Sequence, residues 1–205
     1  MKNYCLMLLF FSTISSANDA EYHKVRDEVF WPEFYTSNYE TLYCKVEKRA
    51  GEKVSLEHVY PADWIASSLG CEDRDNCDLE IYKRASSDLH NLWPALQRYN
   101  SSRSNLIYAE IDGETQRFPE DNCDFERHAN SVEPRDEVKG IIARSYLYMI
   151  LTYGLPKKGI SPLMIKWSAE HPVTEIEIIR NKRIIELQGR PNPFISNKIV
   201  LSLQL

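Results

Sequence analysis

The sequence predicts an α+β fold in one mature domain, with a small mixed centre and a helical second half, and three observations carry this expectation. Short alternating stretches fall in the first half, "TLYCKV" and "KVSLEHV", on either side of a turn at Gly51. A long stretch with helical spacing opens the second half. Within "EPRDEVKGIIARSYLYMILTYG", apolar residues recur at Val138, Ile141, Ile142, Tyr146, Met149 and Ile150. No internal repeat, low-complexity tract or linker divides the chain, whose 7 Gly and 10 Pro are scattered over 205 residues. With 43% hydrophobic and 27% charged residues the composition is ordinary for a globular chain with one sizeable core.

The elements follow in order. "MKNYCLMLLFFSTISSAND" has Lys2, an apolar run from Leu6 to Phe11 and small residues ending Ser15-Ser16-Ala17. That is the pattern of a secretory signal peptide, expected to be cleaved after Ala17 and to leave a mature domain of residues 18–205. The run is too short to span a bilayer and no other stretch is long and apolar enough, so no membrane association is expected after cleavage. "AEYHKVRDEVFWPEFY" reads as a helix ending before Pro32. Pro61 to Ser68 reads as a short helix or an irregular turn. "DLEIYKRASSDLHNLWPALQRYNSSRSN" mixes helical segments around an interruption at Pro94, and "NLIYAEIDG" reads as a strand running into a turn. Pro134 suits the first turn of the long helix and Gly154 its C-terminal cap. "SPLMIKWSAEHPVTEIEIIRNKRIIELQG" continues as helices, with Ser161 as an N-cap and Gly189 as a stop.

Of the 5 Cys, Cys5 lies in the signal, leaving Cys44, Cys71, Cys77 and Cys123. An even number in an exported chain reads as two disulfides, and three pairings are open. Cys71 and Cys77 flank the short polar loop "CEDRDNC" and are the preferred pair, with Cys44 and Cys123 as the second. Their spacing lacks two close CxxC pairs, which disfavours zinc. The formal net charge of −5 does not advertise a binder of polyanions, although a local basic cleft is compatible with an acidic body.

Four groups of residues stand out: Glu57-His58 in "LEHVYPADW", Arg74 in "CEDRDNC", the run "SSDLHNLWPALQRYNSSRSN", and "GRPNPF" near the C-terminus. In a strand, Glu57 and His58 would point to opposite faces. Phosphodiester hydrolysis needs a base to activate water, which neutral histidine provides near pH 7. It needs a cation at the phosphoryl oxygens, and Mg²⁺ prefers hard oxygen ligands, so one carboxylate and one amide oxygen suffice as its protein shell. An arginine grips phosphate bidentately. Glu57, His58, Asn100 and Arg74 are residue types of this kind. His90 and Asn91 read as structural or orienting groups, and His23, His128 and His171 as surface residues. Trp64, Trp93 and Trp167 read as core, and "GRPNPF" as a segment that packs the C-terminus back on the domain.

Five motifs in order, "LEHVYPADW", "CEDRDNC", "SSDLHNLWPALQRYNSSRSN", "GIIARSYLYM" and "QGRPNPF", resemble the bacterial endonuclease I family over about residues 43–194. The resemblance implies a ββα-metal (His-Me finger) core. It places the general base on His58, Mg²⁺ ligands on Glu57 and Asn100, and phosphate stabilisation on Arg74. Mn²⁺ or Ca²⁺ are alternative occupants of the single metal site. The family usually has Gly-Asp where this chain has Ser101-Ser102, the cysteine loop is shorter here, and typical members carry more cysteines.

Lys83, Arg84, Arg98 and Arg103 are the candidates for substrate contact, through phosphates rather than bases. The expected protein is therefore a periplasmic or secreted, monomeric, Mg²⁺-dependent endonuclease. It would cleave DNA, and RNA as well, with little sequence specificity, and the resemblance implies products with 5′-phosphate ends. The alternative is a non-catalytic exported nucleic-acid-binding protein on the same fold, and a small phosphoester hydrolase is a third reading.

Overall fold

The computed structural model describes residues 17–113 and 116–196. Residues 1–16 of the expected signal peptide lie outside the described residues. The fold is α+β, as expected, with helices around small sheets.

The N-terminal segment does not stop before Pro32. Helix α1 (Ala17–Lys24) runs into a π-helical stretch, Val25–Phe30, and then into α2 (Trp31–Phe34). Pro32 sits in the first turn of α2, directly after the π-helical stretch. "TLYCKV" is not a strand either. Thr41, Leu42 and Tyr43 are consecutive and all buried. They form a turn between β1 (Tyr39–Glu40) and β2 (Glu47–Lys48), closed by Lys45 N–H donating to the Thr41 carbonyl.

Strand β3 (Ser55–His58) is where the alternation predicts one. Helix α3 (Ala62–Ser68) resolves the ambiguity after Pro61. The loop from Cys71 to Cys77 leads into α4 (Glu80–Ser86). Pro94 does not interrupt a helix; it lies within β4 (Leu92–Ala95), which pairs antiparallel with β3, Glu57 opposite Trp93 and His58 opposite Leu92. The sheet has two strands only, so proline occupies an edge, where the lost donor is tolerated. Helix α5 (Gln97–Arg103) follows and packs on β3, giving a strand–strand–helix unit.

Beyond it, β5 (Ile107–Tyr108), β6 (Phe125–His128) and β7 (Ser131–Pro134) form a three-stranded sheet in the order β5-β7-β6. The β6–β7 hairpin has no counterpart in the sequence reading, and it places Pro134 at the end of a strand. The long helix α6 (Asp136–Tyr153) starts after it and stops at Gly154, which has the left-handed φ of 64° expected of a C-terminal cap. In α7 (Ser161–Glu170) Ser161 is the first helical residue and Ile160 the cap. Helix α8 (Glu175–Gln188) is capped by Thr174 in a reciprocal box with Glu177, and ends at Gly189. Helix α9 (Pro193–Ser196) closes the described chain.

Helix α6 is buried from Val138 to Ile150 and forms the centre of the core with Trp167, Tyr108, Phe125 and Tyr43. A second cluster, Phe30, Trp31, Tyr35, Leu56, Leu89, Leu92 and Ile184, lies under β3 and β4. Both expected disulfides are present, Cys44–Cys123 and Cys71–Cys77. Asn192 of "GRPNPF" holds the C-terminal segment down, its Nδ2 donating to the Arg144 carbonyl at 3.1 Å. Among the described residues no helix is long and apolar enough to cross a membrane.

Candidate active site

A cleft of about 680 Å³ opens between α1, the end of β3, the cysteine loop and α5. Glu57, His58, Arg74 and Asn100 all line it, so the structure brings together four residues spread over 44 positions of sequence.

The strand pleat separates Glu57 from His58. Glu57 turns toward α5, where it is 1% exposed and its Oε1 lies 3.2 Å from Arg103 Nη1. Oε1 is buried without a hydrogen-bond partner. Burial pushes the Glu57 carboxyl up, to about 7, with Arg103 and Tyr43 opposing the rise. His58 turns the other way, toward α4 and α1, and is half-buried. Its Nε2 lies 2.8 Å from the Ser86 carbonyl. A carbonyl only accepts, so Nε2 carries the proton and Nδ1 holds the free lone pair. Burial lowers the His58 pKa to about 4, with Arg74 and Arg103 acting in the same direction against the Ser86 carbonyl. The imidazole is therefore neutral at physiological pH.

Asn91 fixes the chain just beyond His58. Its side chain bonds both backbone groups of Tyr60, Oδ1 accepting from Tyr60 N–H at 2.7 Å and Nδ2 donating to Tyr60 O at 2.9 Å. Asn100 spends its Nδ2 on Ser55 Oγ and the Leu56 carbonyl, each at 2.7 Å, and none of the hydrogen bonds among the described residues uses its Oδ1. Arg74 is exposed, with Nε 3.3 Å from Asp75 and 3.7 Å from Asp63.

A buried carboxylate oxygen whose one partner is the ionic contact to Arg103, and an amide oxygen outside the hydrogen bonds among the described residues, lie on the same cleft and are the hard oxygen donors a divalent cation takes. The described residues hold no group of three or more His, Cys, Asp or Glu placed around one point, so the protein shell of such an ion would be the sparse pair Glu57 and Asn100.

The model of the endonuclease I family matches residues 10–199, nearly the whole chain. The chain belongs to the endonuclease I family. Among its relatives, an "Extracellular deoxyribonuclease" of Aeromonas hydrophila is 32% identical over 173 residues, covering 82% of this chain and 74% of that one. A "Periplasmic deoxyribonuclease" of the same organism is 32% identical over 152 residues, covering 71% and 64%. An "Extracellular ribonuclease" of Bacillus amyloliquefaciens is 32% identical over 130 residues, covering 54% and 44%.

The basic residues of this endonuclease I chain are placed less simply than the four cleft residues. Lys83 is paired with Asp78 at 2.6 Å and Glu80 at 3.2 Å, away from the cleft wall. Arg84 is exposed on α4, also off the wall. Arg98 is held by Asp121 at 2.8 Å and by Glu120. Arg103 lines the cleft but is 1% exposed. Its guanidinium is committed to the carbonyls of His58 at 3.1 Å and Val59 at 2.7 Å, to Glu57, and to the face of Tyr108.

Several cleft groups escape a sequence reading. Tyr43 and Tyr108 share a 2.9 Å hydrogen bond beneath Glu57, although they are 65 residues apart. Ser86 contributes only a backbone carbonyl. Tyr22 and His23 of α1 also line the cleft, and no motif links them to Glu57-His58. His23 is exposed, as expected of a surface residue, and the surface it lies on is the cleft.

Proposed function

We propose that this member of the endonuclease I family is an exported, monomeric, Mg²⁺-dependent endonuclease. It hydrolyses phosphodiester bonds of DNA, and of RNA, with little sequence specificity. One observation carries the reading: His58, with a free Nδ1, shares a cleft with Glu57, Asn100 and Arg74. Two relatives named as extracellular or periplasmic deoxyribonucleases support the substrate and the export, and one named as a ribonuclease supports RNA.

In this mechanism His58 Nδ1 takes a proton from a water that attacks phosphorus in line. The new O–P bond forms as the P–O3′ bond breaks, leaving a 5′-phosphate, and solvent protonates the departing O3′. The Ser86 carbonyl holds the proton on Nε2 and so keeps Nδ1 as the basic atom. Arg74, free to shift between two exposed carboxylates, grips the phosphoryl oxygens as charge develops on them. Glu57 and Asn100 would hold Mg²⁺, which when bound supplies positive charge to the scissile phosphate and the leaving oxygen. Arg103 supports the site from below by fixing the backbone of His58 and Val59. Phosphate contacts away from the scissile bond fall to Arg84 and, after release from their carboxylates, to Lys83 and Arg98.

Cleavage of supercoiled plasmid by the oxidised protein tests the reading, run with Mg²⁺, with EDTA, and with the His58→Ala variant. Cleavage that needs both the metal and His58 is expected. Unchanged turnover in EDTA or in His58→Ala overturns it, and a folded protein that binds DNA without cutting it would be a non-catalytic binder.

A further inference from the structure

The hydrogen bond to Ser86 does not by itself fix the His58 ring. Rotation about the terminal torsion of histidine has broad minima. A single bond at Nε2 leaves the ring plane, and with it the direction of the Nδ1 lone pair, able to swing. A second constraint is present. The ring of Tyr22 packs against the imidazole with centroids 5.3 Å apart and planes inclined by 33°. An aromatic ring on one face removes the rotation that the Ser86 bond allows.

The two constraints come from elements that pack on each other. Tyr22 is on α1, Ser86 ends α4, and α1 and α4 are in contact. The segment bearing Tyr22 is anchored close by. It continues into the π-helical stretch Val25–Phe30, an uncommon geometry that recurs at functional sites. Phe30 and Trp31 are buried with Leu56, Leu89 and Leu92 under the same two strands, and Tyr22, Val25 and Val29 pack on that cluster. Asp27 adds a contact of 3.4 Å to Lys53, just ahead of β3. The phenol oxygen of Tyr22 makes no hydrogen bond among the described residues, so the ring face is what touches His58.

We propose that Tyr22 is a positioning residue for hydrolysis: its ring, together with the Ser86 carbonyl, sets the plane of the His58 imidazole so that Nδ1 faces the attacking water. The inference rests on the assignment of His58 as the base. Because the contact it makes is with the base, Tyr22 governs kcat rather than KM. Because the hydroxyl is unused, phenylalanine replaces it.

The test measures kcat and KM for plasmid cleavage at saturating Mg²⁺, with thermal melting, for wild type, Tyr22→Phe, Tyr22→Ala, Tyr22→Leu and His58→Ala. Misorientation of a catalytic group by a fraction of an ångström to an ångström predicts a fall in kcat of about ten- to a hundredfold for Tyr22→Ala, with KM unchanged. Tyr22→Phe should stay within about twofold of wild type in both constants. Tyr22→Leu keeps apolar bulk without a flat ring, should fall like Ala, and carries the test should Ala lower the melting temperature. Wild-type kcat in both Ala and Leu variants overturns the proposal. So does a raised kcat, which would make α1 a cover over the site, and so does a raised KM at constant kcat, which would make Tyr22 a substrate contact. A Phe variant as slow as Ala overturns the ring-face account. Turnover retained in His58→Ala would instead remove the base assignment itself, a result separate from any at Tyr22.

Discussion

Arg103 Nη1 lies 3.2 Å from Glu57 Oε1, with both side chains 1% exposed and the same guanidinium bonded to the carbonyls of His58 and Val59. One buried side chain thus balances the charge of the candidate metal ligand and fixes the backbone of the candidate base. Removing one partner of a buried ionic pair costs about 3–5 kcal/mol, so Arg103→Met should lower unfolding free energy by about that amount. Arg103→Lys should recover only part of it, because an ammonium lacks the planar fork that reaches two carbonyls and a carboxylate together. Denaturant unfolding checks both.

The pH dependence of Glu57 has a definite sign. Burial holds its carboxyl near 7 in the metal-free protein against an ordinary value of 4.5. Between those limits the unfolded chain releases a proton that the folded chain keeps. The stabilisation is therefore complete below pH 4.5 and is lost as pH rises through 7. His58, lowered from 6.5 to about 4, acts oppositely over an overlapping window, so the wild-type curve is flattened. Glu57→Gln isolates the carboxyl: in EDTA its stability relative to wild type should grow by about 3 kcal/mol from pH 4.5 to 7. A constant difference across that range would refute it.

Arg74 should separate stability from activity. It is 54% exposed and its carboxylate partners are exposed as well, so Arg74→Ala should melt like wild type. Loss of a cation that meets charge only in the transition state should lower kcat by about a hundredfold. Steady-state cleavage alongside thermal melting reads both.

The Cys44–Cys123 disulfide joins residues 79 apart and ties the buried turn at Tyr43 to the start of β6. Loop-closure entropy for a loop of that length gives about 4 kcal/mol, which Cys44→Ser with Cys123→Ser should lose in unfolding experiments. Reduction of the wild type breaks Cys71–Cys77 as well and should lose at least as much, and activity after full reduction should fall with it.

Gly140 on α6 is a packing requirement. A Cβ there would lie 2.6 Å from Arg144 Nη2 and 2.7 Å from the His171 carbonyl, and Arg144 is itself held by Glu177 at 2.6 Å. Gly140→Ala should destabilise by about 1–3 kcal/mol despite better helix propensity, read by thermal melting.

Local chemistry along the chain determined a good part of this protein. Alternation marked β3 and with it the opposite orientations of Glu57 and His58. Helical periodicity marked α6, and glycine marked the ends of α6 and α8. The cysteine spacing anticipated both disulfides, and the ordered motifs anticipated the family. Tertiary structure decided what local pattern cannot carry. Pro94 is in a strand because a two-stranded sheet leaves it an edge. The turn at Thr41–Tyr43 replaces a strand because the chain reverses there between β1 and β2, closed by Lys45 N–H on the Thr41 carbonyl. Arg103 is buried at the base of the cleft because Glu57 and two carbonyls meet its guanidinium inside the core. Tyr22 reaches His58 across 36 positions only because α1 and α4 dock side by side. Contacts of this kind depend on where elements meet in space, and side-chain spacing within one element records nothing of that.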